Sequence, residues 1–218
     1  MNRQYRLVVF DWEGTLGDTL GQILNTVAVE AKRLEFGEVD ETLARQYVVF
    51  GIVIAVQKLF PHLLMHQHEH LLQAVQRAMA TNPMDVFLIP GAKGIVEKLH
   101  KAGFNLAIAT NKGQQALQRA LIATGLDGFF DVTRSAGQVP PKPCPQMLQD
   151  IMAVCGVNPS ETVMIGDSVS DMEMAMEAGV DAIGVDFYHQ QESDLRACGA
   201  LDVFDDYQKL ANHLGVKM

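Results

Sequence analysis

Apolar residues along this chain follow two regimes. Leu7–Phe10 is a short unbroken run that ends in Asp11 and, three residues on, Gly14. That is the pattern of a strand buried on both faces with a loop at its carboxyl end. From Leu20 the period changes: Leu20, Ile23, Leu24, Val27, Ala28, Ala31 and Leu34 keep to one face, which predicts a helix stopped by Gly37. Residues 41–82 stay helix-compatible with little strand signal. Within them residues 48–56 are ambiguous, because their β-branched side chains favour a strand while their neighbours favour helices.

The regime changes at Pro83 and Pro90. Ile95, Val96, Leu99 and Ala102 form a helix face closed by Gly103, and residues 106–109 read as a strand ending in Thr110, Asn111 and Lys112. Ala116, Leu117, Ala120 and Leu121 form the next face, closed by Gly125. Pro140, Pro141, Lys142 and Pro143 make a rigid loop, and Leu148, Ile151, Met152 and Cys155 form a face closed by Gly156. Residues 163–166 read as a strand ending in Asp167, followed by a helix to Gly179 and a strand over residues 182–185. Strands alternating with helices of this length predict an α/β core, a parallel sheet flanked by helices. An all-helical insert over residues 16–86 interrupts it, leaving residues 1–15 and 87–218 for the core.

With 218 residues, about half of them apolar, the chain can build one good core and a smaller second unit. Its formal net charge of −9, spread without long runs of one sign, argues against nucleic acid or an anionic membrane as partner. Cys144, Cys155 and Cys198 are odd in number and form no Cys-x-x-Cys pair, so neither a disulfide framework nor a zinc site is expected. The longest apolar stretches are too short for a signal peptide or a bilayer span. A cytoplasmic monomer or homodimer is the resulting expectation.

Four polar clusters carry the candidate chemistry: Asp11 to Thr15, Thr110 to Lys112, Lys142 in its proline-rich loop, and Gly166 to Asp171. Three directly follow a predicted parallel strand, and ligands of open α/β sheets bind at the carboxyl ends of strands. Asp11, Asp167 and Asp171 would supply hard oxygen ligands, suited to Mg²⁺ rather than a soft metal. Thr110 and Lys142 are the donors for further anionic oxygens. A carboxylate beside such a cation can attack phosphorus. Each cluster has a plainer reading alone: a strand-ending Asp is commonly a turn or cap residue, Thr-Asn is an ordinary helix cap, and a lysine is usually a surface group. Their joint occurrence, in order and at strand ends, favours the chemical reading.

These residues resemble the haloacid dehalogenase superfamily, and within it the phosphoglycolate-phosphatase-like branch. Asp11-Trp12-Glu13-Gly14-Thr15-Leu16 matches the first motif, Thr110-Asn111 the second, Lys142-Pro143 the third, and Gly166-Asp167 through Asp171 the fourth. The likeness covers nearly the whole chain, with residues 16–86 matching the family's helical cap on a Rossmann-like core. It implies a Mg²⁺-dependent phosphatase acting on a small phosphorylated metabolite. Asp11 would be the nucleophile and a metal ligand. The Glu13 backbone carbonyl and Asp167 would complete the protein's share of the coordination, with Asp171 in support. Thr110, Asn111 and nearby amides would bind substrate phosphate, and Lys142 would neutralise charge.

Position 13 departs from the pattern. The family's phosphatases usually carry a second Asp there as general acid and base. Glu13 keeps the carboxyl chemistry but is one methylene longer, and a displacement of about 1 Å can cost about 100-fold in rate. A carboxylate at this position argues against the metal-free dehalogenase branch and the phosphonate-cleaving branch. It keeps open a catalytically impaired homologue that binds a phosphorylated ligand, and a sugar-phosphate mutase is the rival among enzymes. In the cap, Arg45 and Gly51 are the candidate substrate-selecting residues. Val48, Val49, Phe50, Ile52 and Val53 around Gly51 could line an apolar pocket, although core packing is the plainer reading. His62, His66 and His70 share a helical spacing that could hold a transition metal, or simply face solvent.

Overall fold

A computed structural model describes residues 5–48, 51–81 and 86–216. The chain divides into two compact units: Met1–Gly17 with Leu88–Met218, and Asp18–Phe87.

The first unit is built on a six-stranded parallel sheet in the order β3-β2-β1-β4-β5-β6. Its strands are β1 (Leu7–Phe10), β2 (Asn105–Gly113), β3 (Val132–Ala136), β4 (Thr162–Gly166), β5 (Asp181–Val185) and β6 (Val203–Phe204). The four residues of β1 are fully buried, as expected of a central parallel strand covered on both faces. Phe10 aligns with Ile108 of β2 on one side and Ile165 of β4 on the other. The chain order reverses across β1, since β2 and β3 extend to one side and β4 to β6 to the other. This is the switch point at which open α/β sheets leave a crevice.

The second unit is helical: α1 (Thr19–Arg33), α2 (Glu41–Val48), α3 (Ile52–Leu59) and α4 (Met65–Thr81). The flanking helices of the sheet unit follow as α5 (Ala92–Lys101), α6 (Gln114–Thr124), α7 (Gln146–Cys155), α8 (Val169–Ala178), α9 (Glu192–Ala197) and α10 (Tyr207–His213). The ambiguous segment at residues 48–56 is helical where described, with Gly51 at φ 97° starting α3. Val48 and Ile52 pack into the cores of the helical unit, around Leu24 and Ala55 and around Phe60 and Leu71 respectively. Val49 and Phe50 lie outside the described residues. Helix α1 stops at Arg33, before Gly37, and Glu35 takes the left-handed turn with φ 59°. That turn lets Leu34 and Phe36 pack against Val27 and Ala31.

The histidine spacing does not make a metal face. Helix α4 begins at Met65, so His62 lies outside it, and the His62 ring bonds the Phe36 carbonyl instead. All three cysteines are free. Among the described residues no helix is long and apolar enough to cross a membrane.

Candidate active site

Asp11 follows the last residue of β1, and its backbone N–H donates to the Ile165 carbonyl of β4 at 2.9 Å. This bond continues the ladder one step past the strand and fixes the carboxylate over the switch point. Asp167 stands one residue beyond β4, and Asp171 lies in the first turn of α8. One oxygen from each of Asp11, Asp167 and Asp171 lies within 4.8 Å of the others.

Lys142 sits among them, buried. Its Nζ donates to Asp11 Oδ1 and to Asp171 Oδ1, each at 2.6 Å. Asp171 uses its other oxygen to accept from the Ser168 N–H at 3.1 Å and the Ser168 hydroxyl at 2.6 Å, capping α8. One residue thus locks both the helix start and the lysine. The Thr15 hydroxyl donates to Asp167 Oδ1 at 3.2 Å. Gly14 is required here for space: a β-carbon would stand 2.1 Å from Asp167 Oδ2, and its φ of 74° suits glycine.

Charge is unbalanced in this centre, with three carboxylates against one ammonium. Burial, and then the Asp171 charge, raise the Asp11 carboxyl to about 6 although Lys142 pulls it down. Burial and the charges of Asp11 and Asp171 raise Asp167 to about 8. For Lys142 burial favours the neutral amine, but the two carboxylates outweigh it and hold the ammonium form. A cluster of hard oxygens that resists its own ionisation fits a divalent cation such as Mg²⁺, which would supply the missing positive charge.

Thr110 is buried in β2, and its Oγ1 accepts from the Lys112 N–H at 3.2 Å. Asn111, expected to bind substrate, has its carboxamide on the Lys142 backbone in this structure. Its Oδ1 accepts from the Lys142 N–H at 2.9 Å and its Nδ2 reaches the Lys142 carbonyl at 3.5 Å. It therefore fastens the Lys142 loop. The Glu13 carboxylate is not among the gathered acidic oxygens; it pairs with Lys112 Nζ at 2.5 Å. Arg45 and Gly51 belong to the helical unit, where Arg45 pairs with Asp18 at 3.5 Å and Gly51 starts a helix.

Two contacts escape the motif-based reading. Lys112 stands in the second polar cluster, but its pairing with Glu13 is not foreseen there. Tyr207 begins α10, where its buried hydroxyl donates to the Thr15 carbonyl and braces the loop that carries Glu13. Nothing local in the sequence marks that contact, which spans 192 positions.

Together the fold and the site define an α/β protein with an acidic, oxygen-rich centre at the carboxyl edge of a parallel sheet. The chain belongs to the haloacid dehalogenase-like hydrolase family, whose model matches residues 8–185. It is 25% identical to a phosphoglycolate phosphatase of Psychrobacter arcticus over 96% of this chain and 95% of that one. It is 29% identical to a phosphoglycolate phosphatase of Vibrio vulnificus, over 89% and 90% respectively. Among solved structures, a haloacid dehalogenase family hydrolase from Deinococcus radiodurans, with bound phosphate and sodium, superposes with a TM-score of 0.70. That match is 22% identical and covers 97% of each chain. A haloacid dehalogenase-like hydrolase from Streptococcus pneumoniae has a TM-score of 0.65 at 18% identity, covering 96% of this chain and 98% of its own. At these identities the structural matches speak to the fold.

Proposed function

We propose that this chain is a Mg²⁺-dependent phosphatase that hydrolyses a small phosphorylated metabolite, of the phosphoglycolate or sugar-phosphate kind, through an aspartyl-phosphate on Asp11. The observation that carries this reading is the buried Lys142 ammonium held at 2.6 Å from both Asp11 and Asp171, with Asp167 beside them. The names of the relatives support it.

Asp11, Asp167 and the backbone carbonyl of Glu13 would hold the Mg²⁺. When bound, that ion neutralises charge between the nucleophile and the phosphoryl oxygens. Lys142 orients Asp11 through Oδ1, so the attack falls to the other carboxylate oxygen. An oxygen–phosphorus bond forms to Asp11 as the ester oxygen–phosphorus bond breaks, and Glu13 gives its proton to the departing oxygen. Glu13 then takes a proton from the attacking water. That water's oxygen bonds to phosphorus, the Asp11–phosphorus bond breaks, and inorganic phosphate leaves. Thr110 and the neighbouring amides hold the non-bridging oxygens, so most of the rate comes from positioning and charge neutralisation. Substrate choice is assigned to the helical unit Asp18–Phe87, acting as a cap.

Turnover of p-nitrophenyl phosphate with Mg²⁺, and its loss with chelator, tests the activity. Phosphate released from a panel of phosphorylated metabolites tests the substrate class. Transfer of the phosphoryl group to a sugar instead of water would replace hydrolysis with the mutase reading. Stoichiometric binding of phosphate without turnover would mark an impaired homologue.

A further inference from the structure

Three consecutive residues at the end of β2 hold three different parts of the site. The pairing of β2 with β3 slips here: Thr110 aligns with Ser135, but the next aligned pair is Gly113 with Ala136. Asn111 and Lys112 are therefore extra residues in a bulge, a device that re-aims side chains at a strand end. Thr110 ties down the Lys112 N–H, Asn111 fastens the Lys142 loop, and Lys112 Nζ grips Glu13 Oε1 at 2.5 Å.

We infer that Lys112 is a positioning residue that holds the longer Glu13 carboxylate in place for proton transfer. The inference rests on the phosphatase reading above. A glutamate has one more torsion than an aspartate, and the Glu13 side chain is 39% exposed, so packing alone does not fix it. Its backbone is held, by a bridge to Gly17 and by the Gly14 N–H donating to the Gly17 carbonyl at 2.9 Å. The ammonium of Lys112 holds the side chain at its carboxylate end. Aspartate at position 13 would draw the carboxylate back by about one carbon–carbon bond, about 1.5 Å. A partner now at 2.5 Å would then lie beyond hydrogen-bond range unless Lys112 followed. Lys112 thus reaches the carboxylate at the length that glutamate gives it.

The test compares kcat/KM for phenyl phosphate and p-nitrophenyl phosphate. Phenolate is the more basic leaving group and depends more on a proton donor. Lys112→Met should lower kcat/KM about 10- to 100-fold for phenyl phosphate but only about threefold for p-nitrophenyl phosphate. Lys112→Arg should restore most of the phenyl phosphate rate. In a Glu13→Gln background Lys112→Met should cause no further loss, and in a Glu13→Asp background a loss of about twofold or less. Equal losses for both esters, persisting in the Glu13→Gln background, would mean that Lys112 binds the phosphoryl group directly and would overturn the inference. An inactive parent would overturn the phosphatase reading, and this inference with it. An active parent indifferent to Lys112→Met would overturn this inference alone.

Discussion

If Asp11 and Asp167 hold Mg²⁺ as proposed, metal affinity should rise steeply with pH, because protons would compete with the ion for the same two carboxylates. Asp11 and Asp167 hold their protons up to about 6 and about 8. At pH 6 about half of the Asp11 carboxyls and about one in a hundred of the Asp167 carboxyls are ionised, whereas at pH 8 nearly all and about half are. The doubly ionised fraction therefore grows about 100-fold between the two, equivalent to about 2.7 kcal/mol of Mg²⁺ binding. Isothermal titration at pH 6, 7 and 8, in buffers of different ionisation enthalpy, reads both the affinity and the protons released. The metal-free protein gives the same information with the opposite sign. Both carboxyls are raised above their unfolded value, so their contribution to stability is complete below about pH 4. It is lost as pH rises through about 6 and about 8. Chelated protein should melt at lower temperature at pH 8 than at pH 6, and the gain from Mg²⁺ should widen over that interval. An affinity that stays constant across this range, with no proton release, would refute the reasoning.

Asp11→Asn should reduce phosphate release to background with circular dichroism unchanged, since an amide cannot attack phosphorus. Glu13→Gln should lose about 100- to 10,000-fold in rate on a poor leaving group while its Mg²⁺ affinity by titration stays within a few-fold of the parent. Gly14→Ala places a β-carbon 2.1 Å from Asp167 Oδ2 in a left-handed backbone. It should weaken Mg²⁺ binding and cost about 1–2 kcal/mol in chemical denaturation. Arg45→Ala should alter preference within a panel of phosphorylated metabolites and leave p-nitrophenyl phosphate turnover within about threefold, because that ester has no second acidic group for an arginine to read.

What the sequence made legible follows the burial of each element. Strand β1 is apolar throughout because both its faces are covered, and β4 and β5 are similarly plain. Strand β3 was not legible: it reads Val-Thr-Arg-Ser-Ala, lies at the sheet edge and buries only two of its five residues. Missing it hid the fact that the Lys142 loop, like the other three clusters, follows a parallel strand. Strand β6 spans two residues, too few for a period to show. The acidic cluster was readable because each member sits beside a strand end or a cap with its own local signature. The side-chain partners were not. The carboxamide of Asn111 turned to the Lys142 backbone, and Lys112 turned to Glu13, because a slip in strand register re-aimed both. Register is a property of the paired strands, and neither strand's sequence states it.

The chain contains a single tryptophan, Trp12, adjacent to Asp11 and only 1% exposed. Its indole lies so close to Gly17 that a β-carbon there would stand 2.6 Å from Nε1, and its carbonyl accepts from the N–H groups of Leu16 and Gly17. Gly17 is the last residue before the chain passes into the helical unit. Indole emission from this protein therefore comes from one fluorophore, next to Asp11 in sequence and packed against Gly17. Ultraviolet excitation near the red edge of protein absorption isolates it from the four tyrosines. Changes in its wavelength, lifetime or quenching report on that one place, without any label attached.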